Sequence, residues 1–184
     1  MKKSFFAVAF LCLFFNDTSA QFLQVGFKGG VNFSNFGDGK IEGVAFKNIS
    51  SYHFGLITEL KLIENFAIQP ELLYSSQGSE LKGLGEEFTN ELGYITLPVL
   101  IKFYVVSNKL SIEAGPQAAV LISEKNVVNF EDAKTFELGF ASGLSYKITK
   151  NIFVSGRYIA GLTDAKKDRE IKNSVIQLSV GFLF

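Results

Sequence analysis

The sequence has few of the residues that build most metal and cofactor sites. Among its 184 residues there is a single cysteine, Cys12, a single histidine, His53, and no tryptophan. One cysteine cannot form a disulfide within the chain, and one histidine cannot supply the usual ligand set of a transition-metal site. We therefore expect no disulfide, no transition-metal site and no cofactor. A cysteine nucleophile is excluded as well if Cys12 is removed with the N-terminal segment described below.

An excess of charge of either sign is also missing. Lys and Arg together number 18, and Asp and Glu also number 18. A balanced chain offers no basic surface to attract a nucleic acid, so we expect no nucleic-acid partner. Phenylalanine and glycine are instead abundant, at 20 and 17 residues. Bulky and very small residues in such numbers suit a sheet whose two faces lie in different environments.

The first residues have the pattern of a secretory signal. Lys2 and Lys3 precede an apolar run at 5–15, and small residues at 18–20 precede Gln21. An apolar run of about eleven residues is too short to span a bilayer, which argues against the alternative of a membrane anchor. We predict a removed signal peptide at 1–20, which would also remove the only thiol, and one domain at 21–184.

After Gln21 no apolar stretch is long enough for a membrane helix. Apolar and polar residues alternate instead, in segments of about ten residues separated by turn or loop chemistry. Short connections at 64–65, 107–108 and 150–151 alternate with long ones at 34–50, 78–92, 123–134 and 163–173. Long loops on one side and tight turns on the other are typical of bacterial outer-membrane barrels. We predict an all-β fold, a closed antiparallel up-and-down transmembrane β-barrel of about eight strands, at 22–33, 51–62, 66–77, 93–104, 109–122, 135–147, 152–162 and 174–184.

The composition of the two strand faces decides which face is inside. The last predicted strand alternates Ile176, Leu178, Val180, Phe182 and Phe184 with Gln177, Ser179 and Gly181. A solvated outer face would carry many more Lys and Glu than this small polar face does. An eight-stranded interior, in contrast, is only wide enough for side chains. We therefore expect the polar face to line the lumen and the apolar face to contact lipid of the bacterial outer membrane.

By the same alternation, several charged residues point into the lumen. Charges in so narrow a space must be paired, because burying an unpaired charge is costly. Lys102 lies on the fourth predicted strand, between Glu71 on the third and Glu113 on the fifth. Arg157 could reach across the lumen to Glu71 with two parallel hydrogen bonds. The predicted lumen network comprises Lys28, Glu59, Glu71, Lys102, Glu113, Glu137 and Arg157. A polar plug is the favoured interpretation, and a gated pore is the alternative.

The three prolines and the single histidine require separate predictions. Pro70, Pro98 and Pro116 fall inside predicted strands, where proline removes a donor from the ladder, so we expect bulges or breaks in pairing there. His53 could act as a catalytic base, but no serine-centred turn or second histidine accompanies it. A polar residue at the barrel rim is the expected role of His53.

Four segments resemble a known family. They are Ile68 to Ser75 (IQPELLYS), Leu97 to Lys102 (LPVLIK), Glu113 to Pro116 (EAGP) and Gly156 to Tyr158 (GRY). These segments resemble the small outer-membrane β-barrel domain family of Bacteroidetes, which includes the PorT-like proteins. The resemblance implies an outer-membrane barrel and no general catalytic residues. The terminal Phe184, which ends an apolar face, also resembles the signal that the barrel-assembly machinery reads.

These observations favour a protein that is not an enzyme. The leading hypothesis is a structural or interaction barrel of the bacterial envelope. Its expected partners are outer-membrane lipid, the barrel-assembly machinery and other envelope proteins reached through extracellular loops. A narrow channel and an accessory subunit of a secretion system are the alternatives, the second resting on the PorT-like resemblance alone.

Overall fold

The computed structural model describes residues 23–36, 45–83, 86–125, 136–163 and 173–184. These residues form eight antiparallel strands, each hydrogen-bonded to the next, and β1 pairs with β8 to close the barrel. The segment predicted as a signal peptide lies outside the described residues. The strands are β1 (Leu23–Phe36), β2 (Ala45–Ile63), β3 (Phe66–Gly83), β4 (Glu86–Val106), β5 (Leu110–Lys125), β6 (Phe136–Lys147), β7 (Ile152–Gly161) and β8 (Asn173–Leu183). The predicted fold class is confirmed.

The two ends of the barrel differ. At one end, which we call the turn end, β2–β3, β4–β5 and β6–β7 are joined by the connections 64–65, 107–109 and 148–151. β1 begins and β8 ends there as well. The opposite end, the loop end, carries the connections between β1 and β2, β3 and β4, β5 and β6, and β7 and β8. In bacterial outer-membrane barrels the short turns face the periplasm and the longer loops face outward.

Two of the expected long loops are largely strand. β3 continues to Gly83 and β4 begins at Glu86, so most of the expected loop at 78–92 is a paired hairpin. β1 likewise runs to Phe36 and β2 starts at Ala45, inside the expected loop at 34–50. The alternation of apolar residues stops where a strand leaves the lipid, but backbone pairing does not depend on that alternation. The sequence pattern therefore marked the lipid-crossing parts of these strands and not their ends.

The three prolines interrupt the ladders without shifting them. Each is paired on one side, Pro70 with Val99, Pro98 with Gln117 and Pro116 with Phe140. On the other side two consecutive pairs are missing, and the register resumes unchanged beyond the gap. A strand residue donates its N–H to one neighbour only, so a proline removes pairing on that side alone. The expected breaks are present, and the bulges lie elsewhere, for example between Lys61 and Ile63 in β2.

Where side-chain burial is described, it alternates along the strands in the sense expected of a membrane barrel, apart from short buried runs in β3 and β4. In β8, Ile176, Leu178 and Val180 are each at least half exposed on the outer face. Their neighbours Gln177 and Ser179 point inward and are buried. A barrel in water would reverse this arrangement, because its apolar face would fill the interior. In the part of the chain that the structure describes, no helix has the length and apolar character needed to cross a membrane.

Candidate functional site

Six of the seven residues predicted to line the lumen form a connected cluster inside the barrel. Each of the six is at most 4% exposed, which is unusual for Lys, Arg and Glu and requires compensating partners. The six are Lys28, Glu59, Glu71, Lys102, Glu113 and Arg157. The seventh, Glu137, lies nearer the loop end, opposite Ala119, and accepts a hydrogen bond from the Tyr94 hydroxyl over 3.0 Å.

Arg157 of β7 holds the centre of the cluster. Its two terminal nitrogens donate to the two oxygens of Glu71 on β3, each over 2.9 Å. Nε and Nη2 also donate to Oε1 of Glu113 on β5, over 3.0 and 2.8 Å. The Lys28 ammonium on β1 lies 2.8 Å from Glu71 Oε2. One planar guanidinium thus binds two carboxylates, a geometry that an ammonium group cannot reproduce.

A second group of charges lies nearer the turn end, around Glu59 of β2. Glu59 accepts from Lys102 over 3.0 Å, from Lys147 over 2.8 Å and from the Tyr104 hydroxyl over 2.7 Å. Lys102 also donates to Gln69 over 2.9 Å, and Gln69 donates to Glu71 over 2.6 Å. Gln69 therefore joins the two groups into one hydrogen-bonded network that crosses the lumen.

The same region of the lumen is filled by an aromatic ring. Phe153 of β7 points inward, is 2% exposed and packs with Ile57, Leu73 and Leu183. Its ring lies against Gly181, where an added Cβ would come within 2.2 Å of the ring carbon Cζ. Glycine at 181 therefore leaves the space that the ring occupies. The Lys102 ammonium lies 5.6 Å from the centre of this ring, within the range of a cation–π contact.

His53 lies inside the barrel and not at its rim, so the expectation for this residue is wrong. It is 1% exposed, its Nδ1 is 2.7 Å from Asn32 Oδ1, and its Nε2 is 2.7 Å from the Ser179 hydroxyl. The Asn32 amide nitrogen donates to Ser75 and to the Ser76 carbonyl, which leaves Asn32 Oδ1 as the acceptor of the histidine proton. Both ring nitrogens are thereby engaged. This is the bonding of a buried structural histidine.

Sequence reasoning missed three members of the network, Gln69, Tyr104 and Lys147. All three have inward parity in the predicted strands, so alternation alone could have identified them. Lys147 was missed because it is the last residue of β6, where an ammonium would be expected to reach solvent. Gln69 and Tyr104 were left out of the predicted network because it contained charged residues alone, although each binds a buried glutamate.

The described side chains contain no group of three or more His, Cys, Asp or Glu residues that could hold a metal ion. Each carboxylate of the lumen network accepts from lysine, arginine, tyrosine or glutamine instead. The chemical effect of this network is to neutralise the buried charges inside the narrow lumen. It ties strands on opposite sides of the barrel to one another through the lumen.

Phe184, the residue predicted to carry an assembly signal, lies on the outer face at the turn end. It is 68% exposed, and its ring contacts those of Phe182 and Phe27, with centroids 5.1 and 6.1 Å away. Its amide donates to the Val25 carbonyl over 2.8 Å. The last residue is therefore held on the closing seam between β8 and β1.

Solved structures with the same architecture are outer-membrane proteins. Neisserial surface protein A is 13% identical, with a TM-score of 0.55, and the match covers 88% of this chain and 97% of that one. Ail, the attachment invasion locus protein of Yersinia pestis, is 12% identical with a TM-score of 0.52 over 88% and 98% of the two chains. OprG from Pseudomonas aeruginosa is 13% identical with a TM-score of 0.52 over 88% and 94%. At such identities the likeness shows the fold alone.

The sequence itself carries the family assignment. No curated protein matches the chain in sequence. A family model does match, that of the outer membrane protein beta-barrel domain, over residues 15–167. The match covers most of the barrel. The chain is an outer-membrane β-barrel and belongs to the outer membrane protein beta-barrel domain family.

Proposed function

We propose that this barrel is a non-enzymatic component of the bacterial envelope, closed to solutes, that works through the surfaces it presents and not through its lumen. The observation that carries the proposal is the charge network across the lumen. Among the described residues, seven of the eight strands contribute a side chain to it, and β8 contributes the space at Gly181. The network and the Phe153 ring leave the centre of the barrel filled with side chains.

The energetic argument also favours a closed lumen. Opening a path would separate buried ion pairs, and removing one partner of such a pair costs about 3–5 kcal/mol. A path past Arg157 would break its contacts with Glu71 and Glu113 together. Thermal fluctuation alone would rarely supply that energy, so we expect the protein to pass ions poorly.

Planar-bilayer recording of the purified protein tests the closed lumen. We expect almost no conductance from the wild type. The double variant Phe153→Ala with Arg157→Ala should conduct, because it removes both the ring and the central cation. Tyr158→Ala, next to Arg157 on the outer face, is the matched control and should behave like the wild type. A different gel mobility before and after boiling shows that each variant is folded.

The alternative function is a narrow channel. A large and stable conductance from the wild type, unchanged in the double variant, would favour it and would contradict the plug. Conductance that appears only in the double variant would support the plug.

The partners proposed for this barrel are lipid around its apolar face, the assembly machinery at insertion and other envelope proteins at the loop end. A narrower proposal, a PorT-like role in a secretion system, is supported by the sequence resemblance alone. Deleting the gene and measuring secreted protein, with outer-membrane barrel levels as the control, tests the narrower role. Unchanged secretion would contradict it and leave the general proposal intact.

A further inference from the structure

The outer wall of the barrel carries an apolar groove of about 720 Å³, on the side formed by β5 to β8 and β1. It begins at Leu110 and Tyr146 near the turn end and reaches Gly29 in the middle of β1. One row of paired residues follows it across five strands: Leu110, Tyr146, Val154, Val180 and Gly29. The groove is therefore continuous from the membrane interface towards the membrane centre.

Two glycines on the outer face keep this groove open. A Cβ added to Gly29 would lie 3.5 Å from its nearest neighbour, and one added to Gly156 would lie 3.6 Å away, both ordinary contacts. At the inward glycines Gly26 and Gly30 an added Cβ would lie 1.9 Å from a backbone oxygen. Packing within the barrel thus requires glycine at 26 and 30 but not at 29 and 156. Because Gly29 and Gly156 have no side chains, the outer wall has room at these positions for a molecule that is not part of the protein.

The dimensions of the groove suit one leaflet of a bilayer. Neighbouring strands are about 4.8 Å apart, so a row across five strands is about 19 Å long, near the length of an extended acyl chain. Strands of membrane barrels tilt by about 45°, so this row rises about 13 Å through the membrane. One leaflet contributes about 15 Å of hydrocarbon. The groove therefore spans the leaflet that contacts the turn end.

Positive charge lies at the mouth of the groove. Lys109 immediately precedes Leu110, Lys150 lies in the turn after β6, and both are exposed. The Lys109 carbonyl accepts from the Lys147 amide over 2.8 Å, which holds the β4–β5 turn beside the end of β6. The connections 107–109 and 148–151 contain no acidic residue. An anionic group at this position would meet two lysines and no carboxylate from these turns. The nearby carboxylate of Glu64, which accepts from the Ser107 hydroxyl over 3.1 Å, belongs to the β2–β3 turn.

We propose that the groove binds one anionic phospholipid, with an acyl chain along Val154, Gly156 and Leu178 and the phosphate at Lys109 and Lys150. Apolar walls, a length of one leaflet and cations at the interface end are the three features that such a lipid requires. The site depends on the outer-membrane location of the barrel and is independent of whether the lumen conducts.

Fluorescence quenching in lipid vesicles tests the site directly. Because the chain has no tryptophan, Tyr146→Trp places a single probe in the groove. Leu62→Trp, on the lipid-facing side of β2 near the turn end and combined with Lys61→Gln to remove the neighbouring lysine, is the matched control outside it. We expect brominated phosphatidylglycerol to quench Trp at 146 with an apparent affinity at least about fivefold above that of brominated phosphatidylcholine, since one lysine near an anionic surface contributes about that factor. The probe at 62 should not distinguish the two lipids.

Two further variants separate the headgroup from the chain. Lys109→Gln with Lys150→Gln should abolish the preference for the anionic lipid at position 146. Gly156→Leu should weaken quenching there by both lipids, because it fills the groove. Equal quenching of both probes by both lipids would overturn the proposal. Protection of the probe at 146 from both lipids, with normal quenching at 62, would also overturn it and would indicate a second protein copy in the groove.

Discussion

At the scale of single residues, Arg157 is the side chain on which the lumen network most depends. It neutralises two buried glutamates from different strands, Glu71 and Glu113. Arg157→Ala would leave both carboxylates short of a cation, so we expect the free energy of unfolding to fall by about 3–5 kcal/mol. Arg157→Lys should lose less unfolding free energy than Arg157→Ala, because it keeps the positive charge. It should still be less stable than the wild type, because an ammonium lacks the two-pronged geometry of the guanidinium.

The measurement for Arg157 is the urea midpoint of the barrel in vesicles, followed by the circular dichroism of the sheet. Tyr158→Phe is the matched control, since it removes an exposed hydroxyl that bonds Ser174 on the outer face. Its midpoint should stay close to that of the wild type. Equal midpoints for Arg157→Ala and the wild type would mean that water replaces the lost contacts in the lumen.

Lys28 and Glu71 permit a sharper test of the same network. Among the described side chains, Lys28 makes an ion pair only with Glu71. Glu71→Gln therefore leaves a buried ammonium without a carboxylate, and we expect a loss of about 3–5 kcal/mol of unfolding free energy. Adding Lys28→Met to Glu71→Gln should restore part of that loss, because the unpaired charge is removed. Strictly additive effects in the double-mutant cycle would show that the two residues do not interact.

Whether a side chain points into the lumen or towards lipid is a local property of its strand, and the sequence predicted it well. Successive side chains of an extended strand point to opposite faces, so the six clustered charges could be assigned to the lumen one strand at a time. The predicted two-bond pair of Arg157 with Glu71 is present, but the other partners could not be assigned in this way. Lys102 was expected between Glu71 and Glu113, yet its nearest carboxylate is Glu59 at 3.0 Å, with Glu113 at 4.0 Å. Contacts across a lumen depend on the register of every strand between them.

At the scale of elements, the end of β8 combines packing and a proposed assembly signal. Phe182 and Phe184 belong to the same aromatic cluster with Phe27, but only Phe184 is terminal. If the terminal aromatic is read by the assembly machinery, Phe184→Ala should reduce the amount of barrel in the outer membrane several-fold more than Phe182→Ala does. Immunoblots of outer-membrane fractions measure this amount.

The in vitro stability of the two phenylalanine variants provides the control. Both should lose a similar amount of unfolding free energy, since each takes part in two of the three ring contacts of this cluster, and one such contact contributes about 0.5–1.5 kcal/mol. Equal loss of assembled barrel from the two variants would assign Phe184 to packing alone.

Strand ends show where the sequence pattern stopped being informative. β8 was predicted at 174–184 and is Asn173–Leu183, because lipid contact maintains its alternation throughout. β4 was predicted at 93–104 and is Glu86–Val106, longer by seven residues at the loop end. There the strand is held by its pairing with β3, down to Gly83 with Glu86. Backbone pairing leaves no mark in the side-chain pattern once neither face contacts lipid.

At the scale of the whole molecule, the prediction still to be tested is processing. We expect the protein recovered from outer membranes to begin at Gln21, because the first twenty residues have the three parts of a signal peptide. The intact mass of the purified protein measures this directly. Inhibition of export should lead to a longer form that still carries Lys2 and Lys3. A membrane-embedded form that retains Met1 would contradict the prediction.

The sequence by itself determined the class of fold, the face of each strand that contacts lipid and most of the charges that lie inside. Each of these follows from alternation along one extended segment, which requires no knowledge of any other segment. Only the tertiary structure decided that Arg157 binds two glutamates, that Gln69 links two groups of charges and that His53 is buried. It also decided that Gly29 and Gly156 open one groove across neighbouring strands. These features depend on how closing the sheet from β1 to β8 aligns all the strands at once.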